Sequence, residues 1–220
     1  IILNLKKELS VIEKDMSEIG VKLHEFRCMS AKDLEVRIKE ELSYVGLEKA
    51  IIKIDVNLSE IANNRGYDDV QFLISANPGE PLKPLEKVLS GGELSRIMLA
   101  LKCVFVDKDK IPTLIFDEID TGISGQTAMK VAEKMAKISR NHQVICISHL
   151  SQIAAMADSH YLIKKTADEN STTTSIKKLT RQQSIEELVR INGGSGITEA
   201  GLIHATEMKD MADRTKSNLF

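Results

Sequence analysis

The sequence lacks the features that define several large classes of protein. No stretch approaches the ~18 uncharged apolar residues that a membrane span requires, and the first residues have neither the basic nor the apolar region of a signal peptide. Charge of one sign is also missing, because 30 basic side chains face 32 acidic ones and the net charge is -2. No field of the whole molecule therefore attracts nucleic acid or membrane, and any DNA contact must be local.

Cysteine is scarce, and its spacing excludes the common metal motifs. The chain has three cysteines, Cys28, Cys103 and Cys146, with no CxxC pair among them. This usage favours a reducing, cytoplasmic environment.

With 42% apolar residues in 220, we expect one or two domains with an ordinary core. The first residue is Ile1 rather than Met, so we expect the chain to be part of a longer protein.

One missing motif is informative because related motifs are present. A glycine loop of the pattern GxxxxGK followed by Ser or Thr, which cradles phosphates, occurs nowhere in the sequence. Yet the segment LSGGE at 89–93 opens an apolar helix, and LIFDE at 114–118 ends an apolar run. The sequence thus predicts half of an ATP site and a chain that does not bind nucleotide well alone.

The glycine pair in LSGGE is suited to binding an anion. Ser90, Gly91 and Gly92 place bare N–H groups and a hydroxyl at a helix N-terminus, where an anion is stabilised by roughly 0.3 to 1 kcal/mol. Glu93 and Leu89 complete the segment. In isolation the better interpretation would be a plain N-cap at Ser90 followed by flexible glycines. The motifs downstream favour the phosphate-facing surface.

An acidic pair and a histidine follow two predicted strands. Asp117 and Glu118 end the first strand, at the edge where open parallel sheets bind ligands. Asp117 suits Mg²⁺, and Glu118 suits a base that activates water. The alternative is a strand-end Asp that caps the next helix. His149 ends the next buried strand and could hydrogen-bond a γ-phosphate, although a lone histidine is more often structural.

The first 29 residues have the periodicity of a coiled coil. Their apolar residues alternate spacings of three and four, at Ile2, Leu5, Leu9, Ile12, Met16, Ile19, Leu23 and Phe26. The alternative is one amphipathic helix packed on a globular core. After Ser30 the phase changes and predicts a shorter helix that stops near Gly46. We therefore expect a coiled-coil segment at 1–29 and a globular part at 30–220.

The globular part predicts an α/β fold. Alternation predicts half-buried strands at 51–56 and 70–75, and short apolar runs predict strands buried on both faces at 113–116 and 144–147. Further predictions are strands at 158–165 and 172–179, and helices at 184–191 and 198–213. Together they indicate a mainly parallel sheet flanked by helices.

In this order, LSGGE, LIFDE, IDTGISG and ISH resemble the ATP-binding cassette superfamily. The surrounding segments, FLISANPGEPLKPL from residue 72, LSGGELSRIMLALK to residue 102 and FDEIDTGISG from 116 to 125, closely resemble the RecN family of bacterial DNA repair proteins. That family is similar to the structural-maintenance-of-chromosomes proteins, in which a coiled coil interrupts the ATPase head. The resemblance implies a carboxy-terminal lobe of a split ABC-type head, with the phosphate loop in an amino-terminal lobe upstream of the coil.

The resemblance also implies roles for residues and partners. Residues 89 to 93 would be the signature that contacts the nucleotide of a second head, and Asp117 and Glu118 the Walker B pair. His149 would be the switch histidine. Asp120 to Ser124 falls at the D-loop, where Ser124 stands in place of the Asp of many transporters. The implied cofactors are ATP and Mg²⁺. The implied partners are the amino-terminal lobe, a second head and DNA, with no membrane, in a cytoplasmic, nucleoid-associated enzyme of double-strand break repair.

Two other functions fit part of the pattern. One is the nucleotide-binding domain of a transporter, which the heptads disfavour because they stand where such a domain carries its phosphate loop. The other is a non-hydrolysing scaffold, which the retained acidic pair and histidine disfavour. A basic strip of Lys164, Lys165, Lys177, Lys178 and Arg181 could contact DNA phosphates, but a solvated face is the preferred interpretation.

Overall fold

A computed structural model describes residues 1–87, 91–106, 108, 110–168, 171–193 and 196–219, with only the backbone of residues 167, 168 and 171. The predicted signature residues Leu89 and Ser90 lie outside the described residues. The chain divides into two compact units, the first formed by 1–43 with 47–89 and the second by 44–46 with 90–220. Each unit is described by itself.

The first unit begins with one long helix, α1 (Ile2–Tyr44). The break predicted after Ser30 is wrong, because no glycine or proline lies between residues 21 and 45, and a change of hydrophobic phase moves the buried face without interrupting the backbone hydrogen bonds. The stop near Gly46 is confirmed: Gly46 has a φ of +84°. Leu47 N then donates to Leu42 O at 2.9 Å, as in a Schellman motif.

The predicted coiled-coil seam is exposed. Its apolar side chains from the start of α1 stand in solvent, namely Ile2, Leu5, Leu9, Ile12, Met16 and Ile19. The buried residues of α1 are Gly20, Ala31, Ile38 and Leu42. The first five turns of α1 are therefore not packed on a globular core. The domain boundary at residue 29 stays a prediction.

A three-stranded antiparallel sheet completes the first unit. Its strands are β1 (Ile51–Asn63), β2 (Gly66–Ser75) and β3 (Lys83–Pro84), in the order β1-β2-β3, and a 3-10 turn covers Leu85–Lys87. Both predicted strands are confirmed, and β1 runs seven residues further than expected. The far end of the β1–β2 hairpin closes on α1, where an added Cβ at Gly20 would lie 2.6 Å from the Tyr67 ring.

The second unit alternates helices with strands. In chain order its elements are α2 (Gly91–Phe105), β4 (Thr113–Phe116), α3 (Gly125–Ile138), β5 (Gln143–Cys146), α4 (Ser151–Met156), β6 (Tyr161–Asp168), β7 (Ser171–Lys178), α5 (Arg181–Ile191) and α6 (Glu199–Leu219). β4 and β5 pair in parallel, from Thr113 opposite Gln143 to Phe116 opposite Cys146. β6 and β7 form a separate antiparallel hairpin. The α/β fold with parallel strands flanked by helices is confirmed.

The parallel pair has one buried and one exposed face. Leu114 and Phe116 are buried, whereas Ile115, Ile145 and Ile147 are 68%, 44% and 49% exposed. The prediction that these strands are buried on both faces is wrong for this chain. Strand residues alternate between faces, and in the described part of the chain the helices cover only the Leu114 face. No helix within the described ranges is long and apolar enough to cross a membrane.

Candidate functional site

A tight turn at the end of β4 carries the acidic pair. Glu118 has a φ of +55°, the only positive value among the described residues other than glycine, which costs roughly 1–2 kcal/mol for an L-residue. Its N–H donates to Asp117 Oδ1 at 3.0 Å, and its carbonyl accepts from Thr121 N at 3.0 Å. These bonds hold a strained backbone at the carboxyl edge of a parallel strand, as functional turns often do.

The start of α2 lies directly against this turn. An added Cβ at Gly91 would overlap Glu118 Oε2, so the carboxylate of Glu118 lies over the bare backbone of Gly91. At Gly92 an added Cβ would lie 2.8 Å from Thr121 O and 3.0 Å from Glu118 O. Close approach to backbone atoms thus requires glycine at position 92, whereas a side chain at position 91 would displace the flexible end of the Glu118 side chain. The structure brings the described signature residues, with Glu93 in the first turn of α2, next to the acidic pair.

Two residues of α2 that sequence reasoning missed fix this contact. Ser95 Oγ donates to Asp117 O at 2.7 Å. The buried Arg96 donates from Nη1 to Thr121 O at 2.8 Å, and burial lowers the pKa of its guanidinium. Its Nε is buried without a hydrogen-bond partner among the described residues. The available signal was an arginine inside an otherwise apolar helical run, since such a position needs buried acceptors.

Asp120 faces the interior and holds the predicted switch histidine. Its Oδ2 accepts from Ser148 Oγ at 2.6 Å and from the backbone N–H of His149 at 2.7 Å. The ring Nδ1 of His149 lies 3.0 Å from the same oxygen. The structure therefore places His149 beside the acidic turn, while the carboxylate of Asp120 is turned away from solvent.

Ser124 lies at the far end of the same loop. It is exposed and occupies the N-cap position of α3 with an extended backbone, but its side chain makes no capping hydrogen bond. Gly122 and Gly125 on either side have φ values of +77° and +52°. The geometry gives Ser124 a place at the start of a helix, and among the described residues no hydrogen bond joins it to the acidic pair.

The edge of the sheet is electronegative. Burial, followed by the charges of Asp120 and Asp117, raises the pKa of the Cys146 thiol to about 12. No three His, Cys, Asp or Glu side chains in the described ranges form a complete metal site. Magnesium, however, is held by one or two carboxylates together with phosphates and water. The exposed Asp117 carboxylate fits that partial donor set.

The basic strip is only partly available. Arg181 is paired with Asp210 at 2.5 Å and Asp213 at 2.7 Å, so its charge is balanced within the unit. Lys164, Lys165, Lys177 and Lys178 stand exposed on the β6–β7 hairpin. This distribution is in keeping with the preferred interpretation of a solvated face.

No family model matches the chain. Among curated proteins, the DNA repair protein RecN of Bacillus subtilis is 40% identical and aligns with 97% of this chain. The RecN proteins of Halalkalibacterium halodurans and Rickettsia conorii are 41% and 42% identical over 97% and 93% of the chain. The chain spans 40%, 39% and 37% of the length of these three relatives.

Solved structures agree on the fold. The Smc head domain with an extended coiled coil from Pyrococcus furiosus has a TM-score of 0.50 at 20% identity, covering 85% of this chain and 45% of that one. The Smc head domain with a coiled coil and joint from Pyrococcus yayanosii has a TM-score of 0.51 at 19% identity, covering 76% and 30%. The chain therefore has the fold of an Smc-type head and belongs to the RecN family, of whose members it spans about two fifths of the length.

Proposed function

We propose that the chain is the carboxy-terminal lobe of an ATPase head that acts in DNA double-strand break repair. In this proposal the lobe hydrolyses ATP only together with an amino-terminal lobe that supplies the phosphate loop. The relatives named DNA repair protein RecN support the proposed role in DNA repair. The exposed Ile115, Ile145 and Ile147 support the companion lobe, because an apolar sheet face of this kind is normally covered.

The catalytic roles follow from the turn after β4. Glu118 accepts a proton from the water that attacks the γ-phosphate, and His149 binds that phosphate. Asp117 would hold Mg²⁺, which would neutralise charge on the phosphates. The observation that carries this proposal is the carboxylate of Glu118, held in a strained backbone conformation over Gly91.

The surface formed by Gly91 and Gly92 at the start of α2 serves a second head in this proposal. The N–H groups of Gly91 and Gly92 lie at the N-terminus of a 15-residue helix, which favours an anion. Together with Leu89, Ser90 and Glu93 they would contact the nucleotide held by the opposing head. ATP then joins two heads, and hydrolysis releases them. The coiled coil to which α1 would belong would carry this movement toward bound DNA.

The decisive variant is Glu118→Gln in the full-length protein. We expect steady-state ATP hydrolysis to fall by about 10²- to 10⁴-fold, because a general base typically contributes that factor, while ATP-dependent head dimerisation persists. Glu60→Gln, at an exposed position on β1, is the matched control and should retain full turnover. Unchanged hydrolysis in Glu118→Gln would refute the role of the base.

Complementation is tested separately. The chain alone should give no ATP turnover above background, and addition of the amino-terminal lobe should restore it. Robust, magnesium-dependent hydrolysis by the isolated chain would contradict the need for a companion lobe. An intact protein that dimerises with ATP but never hydrolyses it would favour a scaffold instead.

A further inference from the structure

Asp120 is the most heavily engaged carboxylate near the candidate site. Its side chain is only 3% exposed, and one oxygen, Oδ2, serves three groups. These are Ser148 Oγ at 2.6 Å, His149 N at 2.7 Å and His149 Nδ1 at 3.0 Å. A buried carboxylate is costly unless its charge is compensated. The two groups of His149 supply that compensation at both the backbone and the ring.

The ring of His149 is oriented by this contact and is otherwise accessible. The side chain is 73% exposed, and Nε2 has no partner within the described ranges. Because Nδ1 faces the carboxylate, Nε2 points away from it. A phosphate oxygen only accepts hydrogen bonds, so Nε2 must carry a proton to bind it. With Nδ1–H directed at Asp120, that form is the imidazolium, for which the buried carboxylate is the counter-charge.

We infer that Asp120 is a positioning residue that acts through His149. It fixes the backbone of residues 148–149 and orients the imidazole so that Nε2 faces outward, toward the place of a bound phosphate. Its own carboxylate does not touch the nucleotide. The inference deepens the proposed function and rests on it for its effect on hydrolysis, but the orientation of His149 is independent of any nucleotide.

The turn also links Asp120 to the signature helix. Arg96 of α2 donates to the carbonyls of Thr121 and Ile119, which flank Asp120. The segment 119–121 is therefore bonded to Arg96 of α2 through its backbone carbonyls and to His149 through the Asp120 carboxylate. A shift of α2 that accompanies engagement of a second head would reach the histidine through this short rigid segment.

The test is a double-mutant cycle in the full-length protein. We expect Asp120→Asn to lower ATP hydrolysis about tenfold in the presence of His149, since loss of an orienting partner typically costs 10- to 100-fold. In the His149→Ala background the same substitution should change the rate less than about twofold, because its target is already gone. The matched control, Ser148→Ala, removes another donor to the same oxygen and should leave the rate within about threefold of wild type.

A spectroscopic measurement separates positioning from general support of the fold. In protein labelled with ¹⁵N-histidine and without nucleotide, neutral His149 should give the Nδ1–H tautomer, and Asp120→Asn should shift it toward the Nε2–H form of a free imidazole. Equal effects of Asp120→Asn with and without His149 would overturn the inference. So would a wild-type spectrum in which His149 already has the free tautomer, a result that needs no folded variant. Failure of Glu118→Gln to slow hydrolysis would remove the proposed function but leave this spectral prediction standing.

Discussion

The two units each contain a pair of a histidine and a buried aspartate, and the pairs are built differently. In the first unit His24 Nδ1 bonds Asp68 Oδ1 at 2.6 Å, with the side chains 23% and 1% exposed. Arg27 adds a second bond to Asp68 at 2.7 Å, and Cys28 Sγ lies 3.5 Å from His24 Nε2. In the second unit His149 Nδ1 lies 3.0 Å from Asp120 Oδ2, and His149 Nε2 has no partner among the described residues.

The difference is the one we expect between a structural pair and the functional pair that we propose. When both ring nitrogens have partners and a cation shares the carboxylate, the histidine joins one element to another, here α1 to the end of the β1–β2 hairpin. When one nitrogen faces solvent, the carboxylate fixes a group that can bind something else. Burial of the aspartate is nearly equal in the two pairs, so it does not distinguish them. What distinguishes the two pairs is whether the second ring nitrogen of the histidine has a partner.

The largest expected contrast is between the two histidines. His149→Ala should reduce ATP hydrolysis by the full-length protein by about 100-fold, within the range of a group that acts on the reacting phosphate, with little change in melting temperature. His24→Ala should leave hydrolysis nearly unchanged and lower the stability of the first unit by about 1–2 kcal/mol. Paired rate and unfolding measurements check this. Equal loss of activity in both variants would break the comparison.

The second prediction concerns Asp68 and pH. Burial raises the pKa of Asp68, but hydrogen bonds from Arg27 and His24 outweigh it and hold the pKa below its usual range. A lowered folded pKa contributes stability that is present above the unfolded value, ~3.9, and is lost as the pH falls through the folded value.

Asp68→Asn should therefore destabilise the first unit by about 1–3 kcal/mol at pH 7, and the difference from wild type should shrink as the pH falls below ~3.9 toward the lowered folded pKa. Hydrogen exchange of β2 amides in the full-length protein measures it. A difference that stayed constant between pH 7 and pH 3 would mean that the carboxylate is not stabilised by these ion pairs.

The smallest expected effect is on Cys146. Its pKa, raised to about 12 by burial and then by Asp120 and Asp117, keeps the thiol protonated and slow to alkylate at pH 8. Asp120→Asn removes one of these charges, so alkylation of Cys146 should become a few-fold faster. His24→Ala, in the other unit, is the control and should not change the rate. Mass spectrometry of the labelled peptide measures both. An unchanged rate in Asp120→Asn would argue against a charged Asp120 beside this thiol.

Much of the fold was predictable because local patterns decide it. Strand β4 was predicted with the observed bounds, since a four-residue apolar run between polar residues has few alternatives. The continuity of α1 and the exposed face of β4 and β5 were not predicted, because both depend on what packs against an element rather than on its own sequence. Heptad spacing specifies a seam but not its partner, and an apolar run does not tell how many of its faces are covered.

For the candidate site, sequence identified residue types better than contacts. The motif order placed Asp117 and Glu118 after one strand and His149 after the next, and the structure has these residues after the paired strands β4 and β5. It gave no sign that Asp120 faces inward, that Arg96 is buried against the 119–121 segment, or that Glu118 adopts a positive φ. The positions of Asp120 and Arg96 depend on contacts between segments 20 to 30 residues apart, which spacing along the chain does not encode.

The closeness of Gly91 to the Glu118 carboxylate has a consequence for sequence variation. A side chain at position 91 would displace the Glu118 carboxylate, the movable end of its side chain, from its observed place, so the two positions are coupled through this contact. A homologue that had lost its acidic residue at 118 would no longer be restricted to glycine at 91 by this contact. Larger residues at 91 should therefore be found together with shorter ones at 118.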